Sequence, residues 1–285
     1  MLTLKRDLQT IDTDKDGITM ATSVCVVGAT GKFGRSIISQ STSNVKITGA
    51  VCSDSSPFVG KKLSSIGVQE SNVMMVGASQ IEDATSQSDV VLFVSKPEAD
   101  MVNVPKVASR GKRIVVGTTG FNQLQLDGLL SILKGVPSIV APNFSIGANI
   151  LLKITRLVSG FDRLYDYSIL EQHHKMKIDA PSGTARKMLE VLKSNRALTT
   201  AVTDRTVKPK RLAGEVEVSS FRGGGTPGIH QLVLAGDYEM IRVEHIAFSR
   251  AAASTGALLA CEWLASRTEP RVYSMDDVLA LTNAS

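Results

Sequence analysis

Aromatic side chains are scarce in this chain, 5% of 285 residues with a single tryptophan, and no dense lysine or arginine run occurs. Proteins that hold single-stranded nucleic acid need aromatic platforms along a basic groove. The net charge of +5, from 32 Lys+Arg against 27 Asp+Glu, therefore suits small anionic molecules and speaks against nucleic acid. Cysteine is also sparse. Cys25, Cys52 and Cys261 lack metal-ligand spacing, so no metal site is expected, and an odd count without an apolar leader core fits a reducing cytoplasm. No stretch approaches the roughly 20 apolar residues of a membrane span. Internal repeats and low-complexity tracts are missing as well.

Asp12-Thr13-Asp14-Lys15-Asp16-Gly17 reproduces the first half of a calcium-binding loop. Its last ligand position falls on Ser23, where a bidentate Glu is required, and a strand follows instead of an exiting helix, so calcium binding is rejected. Residues 1–21 read as a flexible polar extension, with Met20 an alternative start.

What remains is 43% hydrophobic and long enough for two domains. Short apolar runs at Val24–Val27, Ile47–Val51, Val73–Val76, Val90–Val94, Ile114–Val116 and Ser138–Val140 recur with room for crossover helices. Such spacing predicts a Rossmann-like, doubly wound parallel sheet. After Asn143 the pattern changes. A helix is expected over Asn149–Val158, a strand over Tyr165–Leu170 and a helix over Ser182–Asn195. Alternating stretches follow at Glu215–Arg222, Ile229–Leu234 and Met240–Ser249, then helices at Ala251–Ser266 and Met275–Leu281. The period of two predicts a mixed sheet in a smaller α+β domain. The fold class is therefore α/β.

Gly28-Ala29-Thr30-Gly31-Lys32-Phe33-Gly34 follows the first run and opens a helix, expected from Arg35. Its glycines let backbone N–H groups approach a pyrophosphate at a helix N-terminus, which makes Gly28, Thr30, Gly31, Lys32, Phe33 and Gly34 cofactor candidates. Asp54, about twenty residues past Gly34, either accepts hydrogen bonds from a ribose or is a surface turn residue. Ser95 and Gly117-Thr118-Thr119 stand at strand ends, where ligands enter open parallel sheets, though the latter also reads as a tight turn.

All four histidines lie between 173 and 245. Glu171-Gln172-His173-His174-Lys175-Met176-Lys177 joins two imidazoles to an ammonium, and Pro181-Ser182-Gly183-Thr184 reads as a loop entering a helix whose N–H groups bind an anion. Lys177, Ser182, Gly183, Thr184 and Arg250 would hold substrate carboxylates. Arg222 and His230 either reach the same acid or are solvated strand-end residues, Arg250 could instead form a domain-joining ion pair, and His245 reads as structural.

On the string His173 to Ala185, with Gly117–Phe121 and Pro142–Gly147, the chain resembles the 4-hydroxy-tetrahydrodipicolinate reductase (dihydrodipicolinate reductase) family from about residue 22 to 281. The resemblance implies His173 as the proton-handling or substrate-orienting residue, His174 and Lys177 as substrate contacts, and Gly183 and Thr184 on a carboxylate. It further implies Pro142, Asn143 and Phe144 at the cofactor and hinge, NADH or NADPH as cofactor, a cyclic dicarboxylate substrate of the diaminopimelate route to lysine, and a homotetramer. The same resemblance implies a dinucleotide-binding domain of residues 22–145 and 250–285, completed by the C-terminal helices, and a substrate-binding and oligomerisation domain of residues 146–249. Phe93-Val94-Ser95 departs from the family's frequent Asp-Phe-Thr, and Gly225 stands where Asp is common. The alternatives are another two-domain nicotinamide dehydrogenase or a catalytically silent cofactor-sensing protein on the same fold. A semialdehyde dehydrogenase needs a nucleophilic Cys in a helix-opening loop, which none of the three cysteines occupies.

Overall fold

The computed structural model describes residues 21–281 apart from 69, 70, 195–197, 199, 205 and 209. The calcium-type loop and all but the last residue of the N-terminal extension lie outside the described residues. Strand β1 (Thr22–Val27) leads to helix α1 (Lys32–Ser39), then β2 (Val45–Cys52), β3 (Met75–Gly77), α2 (Ile81–Thr85), β4 (Val90–Phe93), α3 (Pro97–Ala108), β5 (Arg113–Val116), α4 (Gln123–Leu133) and β6 (Ser138–Val140). A second run comprises α5 (Ile146–Val158), β7 (Asp166–His173), α6 (Gly183–Lys193), β8 (Thr200–Val202), β9 (Glu215–Arg222), β10 (Gly228–Ala235) and β11 (Met240–Ala247). The chain then adds α7 (Ala251–Ala265), β12 (Val272–Tyr273) and α8 (Met275–Val278).

The first sheet is all parallel, in the order β12-β6-β5-β4-β1-β2-β3. Because successive side chains of a strand alternate faces, β1 serves two cores. Val24 and Val26 pack on the α7 side with Leu258 and Cys261, while Cys25 and Val27 pack with Val104 of α3 and Leu129 of α4. All three cysteines are buried and free, and burial pushes the Cys25 thiol up to about 12, which leaves it a protonated core residue and no nucleophile. Chain order reverses between β4 and β1, which puts a ligand crevice at their carboxyl ends.

The second sheet is mixed, in the order β11-β10-β7-β9-β8. β7 pairs antiparallel with β10 and parallel with β9. One face is covered by α5 and α6, where Leu151, Met188 and Leu192 meet Tyr167, Ile169, Val218 and Leu232. The other is bare, with Leu170, Phe221, Met240 and Ile246 between 40% and 58% exposed.

Several boundaries move. Helix α1 starts three residues before the expected Arg35, because Gly31, itself extended, serves as N-cap. Helix α5 begins at Ile146, where the Ser145 hydroxyl accepts the Ala148 N–H, earlier than the apolar periodicity alone suggests. β7 runs on through Glu171 to His173, and α8 stops at Val278, ahead of the left-handed Ala280 (φ 50°).

Candidate active site

Register explains how distant residues converge. His230 of β10 sits opposite Glu171 of β7 on one side and His245 of β11 on the other, a single cross-strand row on the covered face. His173, two residues beyond Glu171 on that face, lies opposite Arg222 of β9. Imidazole rings of His173 and His230 meet edge to face at 5.1 Å between centroids, and those of His230 and His245 stack at 6.1 Å.

Glu171 is 1% exposed and organises the row. Its carboxylate accepts both Arg222 nitrogens, Nη2 to Oε1 at 2.6 Å and Nη1 to Oε2 at 2.9 Å, the Ser182 N–H at 3.1 Å, and His173 Nδ1 at 2.5 Å. Burial pushes this acid up, but hydrogen bonds from Arg222, Ser220 and His173 outweigh it and hold it at about 2. Glu171 is thus an anion that fixes His173 with Nδ1 protonated and Nε2 turned toward Gly228, where a Cβ would come within 3.1 Å of it. Burial lowers the His173 pKa, an effect that Glu171 partly offsets. His230, whose Nε2 lies 3.1 Å from the Ser182 hydroxyl, is lowered to about 4 by burial and then by His173 and His245.

Between the two sheets lies a cavity of about 390 Å³ lined by residues of both domains. It gathers Lys32, Phe33, Asn143, His173, Thr184 and Arg250 from the sequence expectations, together with His230, His245 and Ser145. Two cations and no carboxylate reach its wall. Asn143 joins the hinge to α6, its Nδ2 donating to the Thr184 hydroxyl at 3.1 Å. A larger groove of about 850 Å³ opens elsewhere, beside Ala21 and the start of β2; its lining of aliphatic and hydroxyl groups has Lys46 as its lone charge.

Other expected residues stand apart from the cavity wall. Ser182 is buried behind it: its hydroxyl caps α6 by accepting the Ala185 N–H and meets His230, so it supports the wall and does not offer itself to a ligand. Phe144, expected at the cofactor, is 1% exposed beneath Gly117, where a Cβ would lie 2.5 Å from its ring. Pro142 is exposed on the hinge, and His174 is half-buried just past the end of β7. Lys177 pairs with Asp179 at 2.6 Å. Arg222 does not reach out to a ligand, its guanidinium being committed to Glu171 and the Asp179 carbonyl. His245, read as structural, lines the cavity, 3.3 Å from the Ser145 hydroxyl.

The glycine loop has the shape a pyrophosphate needs. Gly28 is left-handed (φ 95°), and a Cβ at Gly34 would come 2.2 Å from the Gly28 carbonyl oxygen. With no side chain capping α1, the N–H groups of Lys32, Phe33 and Gly34 are available in its first turn. Thr30 sits in that loop, its carbonyl accepting Arg35 Nε at 2.9 Å. Asp54 lies past β2, held as an anion by the N–H and hydroxyl of Ser79 on Oδ1. At the ends of β4 and β5, Thr119 is exposed, whereas the Ser95 N–H donates to the buried Thr118 hydroxyl at 2.9 Å.

Among the described residues no helix is long and apolar enough to cross a membrane, and no group of three or more His, Cys, Asp or Glu could hold a metal ion.

Comparison with known proteins agrees with this arrangement. The family model for the N-terminus of dihydrodipicolinate reductase matches residues 22–144, and that for its C-terminus matches 147–279. A 4-hydroxy-tetrahydrodipicolinate reductase of Methanopyrus kandleri is 35% identical over 265 residues, covering 90% of this chain and 96% of that protein. One from Aquifex aeolicus is 33% identical over 268 residues, 92% of this chain and 100% of that protein. Dipicolinate-bound dihydrodipicolinate reductase from Paenisporosarcina sp. TG-14 shares the fold with a TM-score of 0.71, at 24% identity over 90% of this chain and 98% of that one. Both halves of the chain, in one order and at nearly full length, thus place it in the dihydrodipicolinate reductase family of oxidoreductases.

Proposed function

We propose that this chain acts on 4-hydroxy-tetrahydrodipicolinate, which loses water to give dihydrodipicolinate, and reduces that by a hydride and a proton to tetrahydrodipicolinate with NADH or NADPH, in lysine biosynthesis through diaminopimelate. The observation that carries this reading is the cavity between the sheets, with Lys32 and Arg250 on its wall, the first turn of α6 at Thr184, His173 backed by Glu171, and no carboxylate. A cyclic dicarboxylate suits it by charge.

The cofactor's pyrophosphate fits the uncapped first turn of α1 and the Gly28–Gly34 loop, its ribose the second oxygen of Asp54, and its nicotinamide half the ends of β4 and β5 at Ser95 and Gly117–Thr119. When bound, the reduced nicotinamide supplies a hydride to the ring's C=C–C=N system. Arg250 and the N–H groups of Gly183 and Thr184 hold the carboxylates, with Lys177 joining them once it leaves Asp179. Cationic groups there draw electron density from the ring and favour hydride arrival. His173, its Nδ1–H bound to Glu171, orients the ring from Nε2, or, when protonated there, gives a proton to the neighbouring carbon.

Carboxylate–imidazole pairs of this kind serve nucleophilic catalysis too, but the described cavity wall offers no thiol. We propose further that the bare face of the mixed sheet, carrying Leu170, Phe221, Met240 and Ile246, pairs between subunits of a homotetramer; light scattering on the purified protein reads the mass directly. Activity is tested by following absorbance of the reduced nicotinamide with freshly generated substrate. Oxidation of either cofactor is expected, and none with both would favour the cofactor-sensing alternative.

A further inference from the structure

Asp100 in the first turn of α3 is 0% exposed, and no cation accompanies it among the described residues. A carboxyl group in such a place is costly unless its hydrogen bonds do something an apolar side chain could not. Capping α3 does not explain it, since the helix start has no side-chain cap and the Asp100 backbone N–H already donates to the Lys96 carbonyl at 3.0 Å.

Its hydrogen bond goes to a strand end instead. The Ser95 hydroxyl donates to Oδ1, while Oδ2 is buried with no hydrogen-bond partner among the described residues. Ser95 in turn donates its N–H to the Thr118 hydroxyl at 2.9 Å, so a chain of hydrogen bonds runs from Asp100 through Ser95 to Thr118. Between β4 and β5 the last backbone bond is Gly117 N–H to the Phe93 carbonyl at 2.8 Å. Beyond it parallel strands ordinarily part, and here the Ser95–Thr118 bond continues the pairing through a side chain. Ser95 also leans on the glycine loop, its Cα standing 3.1 Å from where a Cβ of Gly28 would be. Asp100 thereby ties together the carboxyl ends of β1, β4 and β5.

We propose that Asp100 is a positioning residue for the nicotinamide cofactor, holding Ser95 and Thr118 in the geometry that the cofactor meets. This rests on the cofactor reading given above. Burial raises the acid's pKa and the neighbouring hydroxyls of Ser95 and Thr118 lower it in part, in keeping with a group that accepts a hydroxyl and has no charge to deliver.

Three variants test it, with affinity for NADH and NADPH measured by quenching of the reduced cofactor's fluorescence and KM measured separately for cofactor and dicarboxylate. Asp100→Asn keeps an acceptor oxygen of the same shape and is expected to bind cofactor within about threefold of wild type, whereas Asp100→Val, losing the buried bond from the Ser95 hydroxyl, should bind about tenfold more weakly. The dicarboxylate KM should stay where it is in both, which a general loss of structure would not allow. Wild-type affinity in Asp100→Val, an equal loss in Asp100→Asn, or parallel rises in both KM values would overturn the proposal. Should Asp100→Val fail to fold, Thr118→Val breaks the same chain at the Ser95–Thr118 bond and must itself weaken cofactor binding by a similar factor; unchanged affinity there overturns the proposal as well. Failure of the wild-type protein to bind either cofactor would instead defeat the cofactor reading.

Discussion

Replacing Glu171 by Gln removes one charge from the most connected side chain of the site while keeping its shape. The donors that converge on that carboxylate include two guanidinium nitrogens of Arg222, the Ser182 N–H and His173 Nδ1. An amide can accept at one oxygen only, so two of these bonds lose their partner and the largely buried Arg222, 18% exposed, keeps its charge beside a neutral amide. Breaking a buried pair in this way costs about 3 kcal/mol of stability. Function suffers separately, because His173 loses both the group that fixes its tautomer and the anion that raises its pKa. Turnover should fall about a hundredfold, the ordinary scale of a positioned acid or base. The sign of the pH effect follows from the same contact. Without the carboxylate the imidazole binds its proton less tightly, so any limb of the kcat/KM profile that follows His173 moves to lower pH. Steady-state rates across a pH range of about 5 to 9, beside thermal melts, check both parts. A Glu171→Gln enzyme with turnover within about twofold of wild type and an unmoved profile would refute this account of the pair.

Acid stability should carry the mark of His230. Its folded pKa, about 4, lies below the ordinary 6.5, so its contribution is complete above pH 6.5 and is lost as pH falls through 4. For a group only 5% exposed this amounts to about 3 kcal/mol, and His230→Gln should flatten the fall in melting temperature over that window; an unchanged slope contradicts it. Gly34→Ala places a methyl group against the Gly28 carbonyl, a backbone atom that cannot step aside. Cofactor affinity measured by calorimetry should drop at least about tenfold, a change of about 1.4 kcal/mol. Arg250→Ala takes a cation from the cavity wall and should raise the dicarboxylate KM about tenfold or more with little change in cofactor KM, as losing a charge-assisted hydrogen bond would.

Much of this molecule was legible as local pattern. Apolar runs such as Val90–Val94 read as buried strands, and the Gly28–Gly34 loop, set directly after such a run, declares the helix that follows it. Ser182 was readable as a cap, yet its burial behind the wall was not, because capping leaves the hydroxyl's second partner, His230, unstated. Residues set by register were the hardest to see. His245 and Glu171 are far apart in the chain and share a row only because β10 pairs with both β7 and β11. Glu171 did leave a trace: spaced two from His173 on a strand, it had to point the same way. Asp100 left none, since its neighbours Ser95 and Thr118 are joined to it by the crossover of α3 and by the pairing of β4 with β5.

The central claim is hydride transfer from a nicotinamide held on the first sheet to a dicarboxylate ring held on the second. Reduced cofactor deuterated at its transferring carbon, incubated with the enzyme and freshly generated 4-hydroxy-tetrahydrodipicolinate, tests it most directly, with the product read by mass spectrometry. One deuterium in each tetrahydrodipicolinate is the result this structure predicts. Product formed without deuterium, from cofactor labelled on either face, would contradict it.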